Sequence, residues 1–308
     1  MKNVILTGAT GFLGRWLVKE LLKNDCCVTA VVRPDSSNLR LLEMDARLSV
    51  IECSMGQYHL LPEKIGQMPE SVFYHLAWAG VSGSERMDAA VQMENIKAAA
   101  DAVQAAAKIG CTRFVGLGTI MEVEAAAVAD ADGSHPGAGY IYGEAKHFAH
   151  LQTKILASQH GIDHLWAMLT NAYGEYESSP RFINTTLRKI IHREPLEFTA
   201  GTQIYDFIHV EDAAQALIAI GEKGKTNSSY VIGSGKATAL RQFIETIGKT
   251  LAPEQTLLFG NVPYTGVQLP VEKFSIEKLT KDTGFVPEIS FENGIARTMG
   301  WLRSREDL

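Results

Sequence analysis

Short apolar runs alternate with longer stretches of helical periodicity along the first 170 residues of this chain, the mark of repeated strand–helix–strand units. Val4–Leu6 reads as a buried strand. Phe12–Lys23 carries an apolar stripe at Leu13, Leu17 and Leu21, which predicts a helix, and Val28–Val32 is a second β-rich run. Val72–Leu76 predicts another strand, and the alanine-rich stretch Asp88–Ile109 a long helix. Phe114–Leu117, Ile141–Ser158 and His164–Leu169 then read as strand, helix and strand. Such a series predicts an α/β fold, a doubly wound and mostly parallel sheet with helices on both faces.

After Asn171 the segments shorten, and Pro180, Pro195, Pro253, Pro263, Pro270 and Pro287 interrupt the chain. This part reads as a smaller, mixed C-terminal lobe over the carboxyl ends of the strands. Phe207–Val210 and Tyr230–Ile232 read as strands that return to the main sheet. The expected boundary is therefore discontinuous: 1–170 plus about 205–232 form a dinucleotide-binding domain, and 171–204 with 233–308 form a substrate-binding lobe.

Composition narrows the classes. The chain has 308 residues, 46% hydrophobic and 21% charged, as in an ordinary globular protein. A net charge of -6 argues against a nucleic-acid partner. No apolar run approaches the roughly 20 residues of a membrane span, and the immediate entry into a strand at Val4 leaves no signal-peptide pattern. Cys26, Cys27, Cys53 and Cys111 have no zinc-type spacing and read as reduced, mostly buried thiols of a cytoplasmic protein. The pairs His147/His150 and His160/His164 lack a third ligand in pattern, so no metal site is expected.

Gly8, Gly11 and Gly14 lie between the first strand and the first helix. A helix N-terminus there presents unpaired N–H groups and partial positive charge, and glycines let the backbone approach a pyrophosphate. The expectation is a Rossmann-type turn in which Gly8, Thr10, Gly11, Phe12, Leu13 and Gly14 bind a dinucleotide. At the end of the second strand stands Arg33, suited to a 2′-phosphate and to stacking on adenine, which points to NADP. Asp35, two residues on, is the alternative, an acidic partner for the ribose of NAD.

Tyr142 and Lys146 are four apart on the helix Ile141–Ser158 and so share a face. A free tyrosine has a pKa of roughly 10, and a nearby ammonium would favour its phenolate. Thr119, after the strand Phe114–Leu117, offers a hydroxyl to hold a substrate oxygen as the proton moves. Together these residues predict hydride exchange between a dinucleotide and a carbonyl or alcohol.

With those residues in place, the chain resembles the extended short-chain dehydrogenase/reductases, in the branch of NAD-dependent epimerase/dehydratase proteins. The matching segments run in order: the glycine turn, His75-Leu76-Ala77-Trp78, Asn95, Thr119, Tyr142/Lys146, Leu169-Thr170-Asn171-Ala172-Tyr173-Gly174, and Asp206-Phe207-Ile208-His209-Val210-Glu211-Asp212. The resemblance implies a catalytic set of Thr119, Tyr142 and Lys146. It implies cofactor contacts from Leu76, Ala77, Trp78, Asn95, Leu169 and Ala172, with Ser54 and Met55 in place of the usual adenine-side pair. Trp78, Thr119 and Asn171 would meet the substrate, and His75 and His209 would be structural hydrogen-bonders. It also implies a homodimer built on the helices Asp88–Ile109 and Ile141–Ser158.

The chain departs from that branch in places that bear on substrate. Arginines that usually clamp a nucleotide diphosphate are replaced by Tyr205 and by the stretch Val262-Pro263-Tyr264-Thr265-Gly266. Arg181, and Arg188 or Lys189, are the candidates to compensate. Dehydratases of the branch carry Asp-Glu directly after the threonine, whereas here Ile120-Met121 precede Glu122. The expected activity is therefore an NADP(H)-dependent reductase of a keto sugar, nucleotide-linked. An epimerase that retains NAD, and a non-catalytic dinucleotide-binding regulator, are the alternatives.

Overall fold

Continuous burial of Val4, Ile5 and Leu6, each fully excluded from solvent, places the first strand at the centre of a parallel sheet covered on both faces. The structure is a computed structural model that describes residues 1–129, 131–264 and 266–306. Thr265, in the loop that departs from the family, and Asp307 and Leu308 at the end of the lobe lie outside them.

In chain order the elements are β1 (Asn3–Thr7), α1 (Phe12–Lys23), β2 (Cys27–Val32), β3 (Leu48–Glu52), α2 (Leu61–Ile65), β4 (Val72–His75) and α3 (Ala89–Ile109). Then come β5 (Arg113–Thr119), α4 (Met121–Ala129), α5 (Ile141–Gln159), β6 (Asp163–Leu169), β7 (Asn171–Tyr173), α6 (Phe182–Ile191), β8 (Leu196–Phe198) and β9 (Ile204–Tyr205). The chain continues through β10 (Phe207–His209), α7 (Val210–Lys223), β11 (Ser228–Ile232), β12 (Thr238–Ala239), α8 (Leu240–Leu251), β13 (Leu257–Phe259), α9 (Glu277–Thr283) and α10 (Phe291–Glu306).

Seven strands form the main sheet in the order β11-β6-β5-β4-β1-β2-β3, every neighbouring pair parallel. The order reverses at β1, which opens a crevice at the carboxyl ends of β1 and β4. Helices α1 and α7 pack together on one face, and α3, α5 and α4 cover the other. Leu17 and Leu21 on α1 are fully buried, each contributing about 2 kcal/mol of apolar burial. Helix α3 starts at Asp88, whose carboxylate accepts from the backbone N–H of Ala90 and Val91, and stops at Gly110 in the left-handed conformation.

The strand β3 does not stand out in the sequence because it is a half-exposed edge strand. Tyr230–Ile232 joins the main sheet, within β11. Phe207–Val210 does not. Residues Phe207–His209 pair in parallel with Asn171–Tyr173 in a separate two-stranded sheet, and Val210 already opens α7. The chain leaves the main sheet at Thr170, whose N–H bonds the Ile232 carbonyl, so β7 runs beyond the sheet and draws β10 after it. A further apolar cluster, with Leu187, Phe198, Phe207, Phe243 and Ile295, gives the C-terminal part its own core. Phe243 meets Phe207 and Phe291 edge-on at 5.0 and 4.9 Å.

Candidate active site

The glycine turn is shaped by steric necessity. Gly8 has φ +77°, and a Cβ there would stand 2.7 Å from the Ala77 backbone nitrogen, because β1 and β4 crowd the turn. A Cβ on Gly14 would come within 2.0 Å of the Gly8 carbonyl oxygen, so the first turn of α1 lies directly on the loop. Gly11 caps α1 without a side-chain hydrogen bond and no acidic residue occupies the first turn, leaving the helix N–H groups available to an anion. This cradle fits the pyrophosphate of a dinucleotide. Thr10 is half-buried and accepts a 3.4 Å hydrogen bond from Ser36, which brings the loop after β2 beside the turn. Arg33 is exposed at the head of that loop, as is Asp35, whose φ is +55°. Phe12 is half-buried, while Leu13 packs into the core.

A cavity of about 440 Å³ opens at the carboxyl ends of β4, β5 and β6. Thr119, Tyr142 and Lys146 all line it. Thr119 comes from the last position of β5, and the other two from the first turns of α5. Gly143 lets α5 approach this closely, since a Cβ there would meet the Met121 carbonyl at 2.5 Å. Burial pushes the Tyr142 hydroxyl above its ordinary range and Glu122 adds to that rise. Arg181, Arg86 and a hydrogen bond with the Thr119 side chain pull the other way. Burial brings the Lys146 ammonium down to about 7, with Glu122 opposing. Its Nζ donates to the Leu117 carbonyl at 2.7 Å and lies 3.7 Å from the centre of the Trp78 ring. Of the cations around Tyr142, Arg181 and then Arg86 pull its hydroxyl down most.

Around this centre Leu76, Trp78, Leu169, Ala172, Asn171 and Arg181 also line the cavity. Asn171 donates to the Asp206 carbonyl at 3.1 Å. Ser54 and Met55 are half-buried after β3, away from this cavity, and Ala77 backs the glycine turn. Asn95 is buried, and its amide is committed to the Ala79 backbone, accepting from the N–H at 2.8 Å and donating to the carbonyl at 2.9 Å. It braces the loop after β4 instead of presenting a free group to a ligand. Arg181 pairs with Glu177 at 3.5 Å. Tyr205 is on the cavity wall, but Arg188, Lys189 and the described part of Val262–Gly266 are not. His75 is neutral, held at about 3 by burial first and by Lys146 second, and bonds Thr7 at 2.9 Å. His209 bonds Glu175 at 3.0 Å.

Arg86 and Asn184, on the cavity wall, escaped sequence reasoning, and the surroundings of Thr170 and Glu122 were not foreseen. Arg86 sits with its guanidinium carbon 4.9 Å from the centre of the Tyr142 ring. The Thr170 hydroxyl and the Asn184 side-chain carbonyl are buried without a hydrogen-bond partner. Glu122 is buried beneath Thr119, accepting from its backbone N–H at 2.8 Å and from the Trp166 indole at 3.1 Å. No local spacing announces any of these. Among the described residues, no group of three or more His, Cys, Asp or Glu could hold a metal, and no helix is long and apolar enough to cross a membrane.

The family profile described as "NAD dependent epimerase/dehydratase family" matches residues 4–233. A curated relative, CDP-abequose synthase of Salmonella muenchen, is 22% identical over 303 residues, covering 97% of each chain. A second, dTDP-glucose 4,6-dehydratase of Streptomyces griseus, is 23% identical and covers 97% of this chain and 93% of its own. Among solved structures, UDP-glucose 4-epimerase of Thermotoga maritima with UDP-glucose superposes with a TM-score of 0.81 at 20% identity, covering 99% of both chains. Bordetella bronchiseptica WbmF in complex with NAD+ and UDP gives 0.80 at 23% identity, covering 99% of this chain and 93% of that one. These structures share the fold.

Proposed function

Because the chain belongs to the NAD dependent epimerase/dehydratase family, and is therefore an NAD-dependent enzyme, we propose that it is a reductase that uses NADP(H) to reduce a nucleotide-linked keto sugar. The observation that carries the reading is the meeting of Thr119, Tyr142 and Lys146 on one cavity, with the glycine turn at the end of the neighbouring strand. A nicotinamide cofactor supplies the hydride when bound. The N–H groups at the start of α1 would hold its pyrophosphate, and Arg33 would meet a 2′-phosphate. Tyr142 gives its proton to the carbonyl oxygen, which the Thr119 hydroxyl holds in place. Lys146 would bond the ribose hydroxyls with the N–H groups not used on the Leu117 carbonyl. Of Arg181, Arg188 and Lys189, only Arg181 is on the cavity wall, where it would face the diphosphate.

Two features support reduction over dehydration. Ile120 is buried, Met121 is apolar, and the Glu122 carboxylate is already committed to Thr119 and Trp166. Among the described residues, the two that follow Thr119 supply no acid–base pair for elimination of water. An epimerase that retains NAD is the second reading, favoured by the likeness to solved 4-epimerases. Exposed Met93, Phe148, Leu151 and Ile155 on α3 and α5 support a homodimer through those helices. Four free cysteines, three of them buried, suit a reducing cytoplasm.

Tyr142→Phe is expected to lower turnover by roughly a thousandfold while cofactor affinity, read by fluorescence titration, stays near wild type. A fully active variant would end the assignment. The two readings separate on cofactor extracted from the purified protein. A 2′-phosphate and net consumption of reduced cofactor support the reductase, whereas tightly held NAD recycled without net consumption would replace it with the epimerase.

A further inference from the structure

The loop between β4 and α3 is built to present one side chain. Gly80 and Gly83 both have positive φ, and a Cβ on Gly80 would meet the Glu85 carbonyl at 2.7 Å. Gln92, buried on α3, donates to the carbonyls of Gly80 and Glu85 at 3.2 Å each and accepts from the Trp78 indole at 2.8 Å. Asn95 clamps Ala79 from the same helix. Two buried amides therefore fix both ends of a turn whose outward residues Val81 to Glu85 are exposed. What the turn delivers is Arg86, on the cavity wall, with its guanidinium over the Tyr142 ring and its Nε buried without a partner.

The Tyr142 ring is flanked as follows. Trp78 meets it edge-on at 6.4 Å. Arg86 faces it from the loop, and Arg181, tied to Glu177, from the start of α6. Glu122 acts on it from α4, where Glu124 is within reach of Arg86 and Tyr205. Lys146, on its own helix, is turned to the Leu117 carbonyl. A guanidinium keeps its charge at every accessible pH, and a phenolate attracts it more strongly than a phenol does.

We propose that Arg86 is a positioning residue that acts through Tyr142, holding the guanidinium where it stabilises the phenolate left when the tyrosine O–H bond breaks and its proton goes to the substrate carbonyl oxygen. The hydride comes from the reduced nicotinamide, and solvent returns the proton to the tyrosine. Arg86 thereby adds its charge to that of Arg181 beside the tyrosine. The inference rests on the reductase or epimerase reading for the step itself, but not for the interaction between the two side chains.

The test is the titration of Tyr142 in cofactor-free protein carrying ring-labelled tyrosine, its resonance assigned by its loss in Tyr142→Phe. Arg86→Gln is expected to move the midpoint up by about one pH unit and to lower kcat below the midpoint by about tenfold. Arg86→Lys, which keeps a charge, is expected to restore most of both and guards against misfolding of the Gln variant. The same midpoint in wild type and Arg86→Gln would overturn the proposal. A raised KM with unchanged kcat and pH profile would overturn it as well, and would make Arg86 a substrate anchor. Failure of the functional reading shows instead as an active Tyr142→Phe, leaving the titration interpretable.

Discussion

Lys146 is 3% exposed, and burial brings its ammonium down to about 7. In an unfolded chain the same group titrates near 10.4. Between those values the unfolded state binds the extra proton, so this residue's contribution to stability rises with pH over that window and is least favourable below about 7. Lys146→Met is therefore expected to abolish turnover yet raise the melting temperature at pH 6, by up to a few kcal/mol of stability, with the gain gone near pH 10. Melts at the two pH values check this; a gain of equal size at both would remove the charge explanation. Gly14→Ala acts through shape. Its Cβ would lie 2.0 Å from the Gly8 carbonyl, and the neighbour is backbone that must move. A loss of about 1–3 kcal/mol is expected, together with weakened cofactor binding in a calorimetric titration. Unchanged affinity would show that the turn does not hold the pyrophosphate.

Helices α3 and α5 pack side by side and leave Met93, Phe148, Leu151 and Ile155 in water, at 62, 55, 48 and 61% exposure. The double variant Phe148→Glu/Ile155→Glu is expected to sediment as a monomer at concentrations where wild type sediments as a dimer, with Tyr142 chemistry retained. A monomeric wild type would refute the interface. The same helices show what a sequence discloses. Strands β1, β2, β4, β5 and β6 were legible because a parallel strand buried on both faces must be apolar at nearly every position. Helix α7 was not legible at its start. Phe207 to Val210 is one buried run, and the boundary inside it is set by the His209 imidazole, which accepts from the Glu211 N–H. Such a cap has no sequence signature. At the site, the glycine intervals and the Tyr142/Lys146 spacing are local and can be read directly. Arg86 and Asn184 come from distant segments and reach one cavity wall only through the fold.

At the scale of the molecule, β6 gains its outer neighbour late. The chain passes from β6 through β7, α6, β8, β9, β10 and α7 before β11 returns to pair Ser228–Ile232 with Leu165–Leu169. During synthesis, all three residues placed at the chemistry emerge well before the strand that completes their sheet. In that interval β6 presents a bare row of N–H and C=O groups, free to recruit a strand from another nascent copy. A chain released before Ser228 would thus carry Thr119, Tyr142 and Lys146 yet end up in aggregates rather than as a smaller working enzyme.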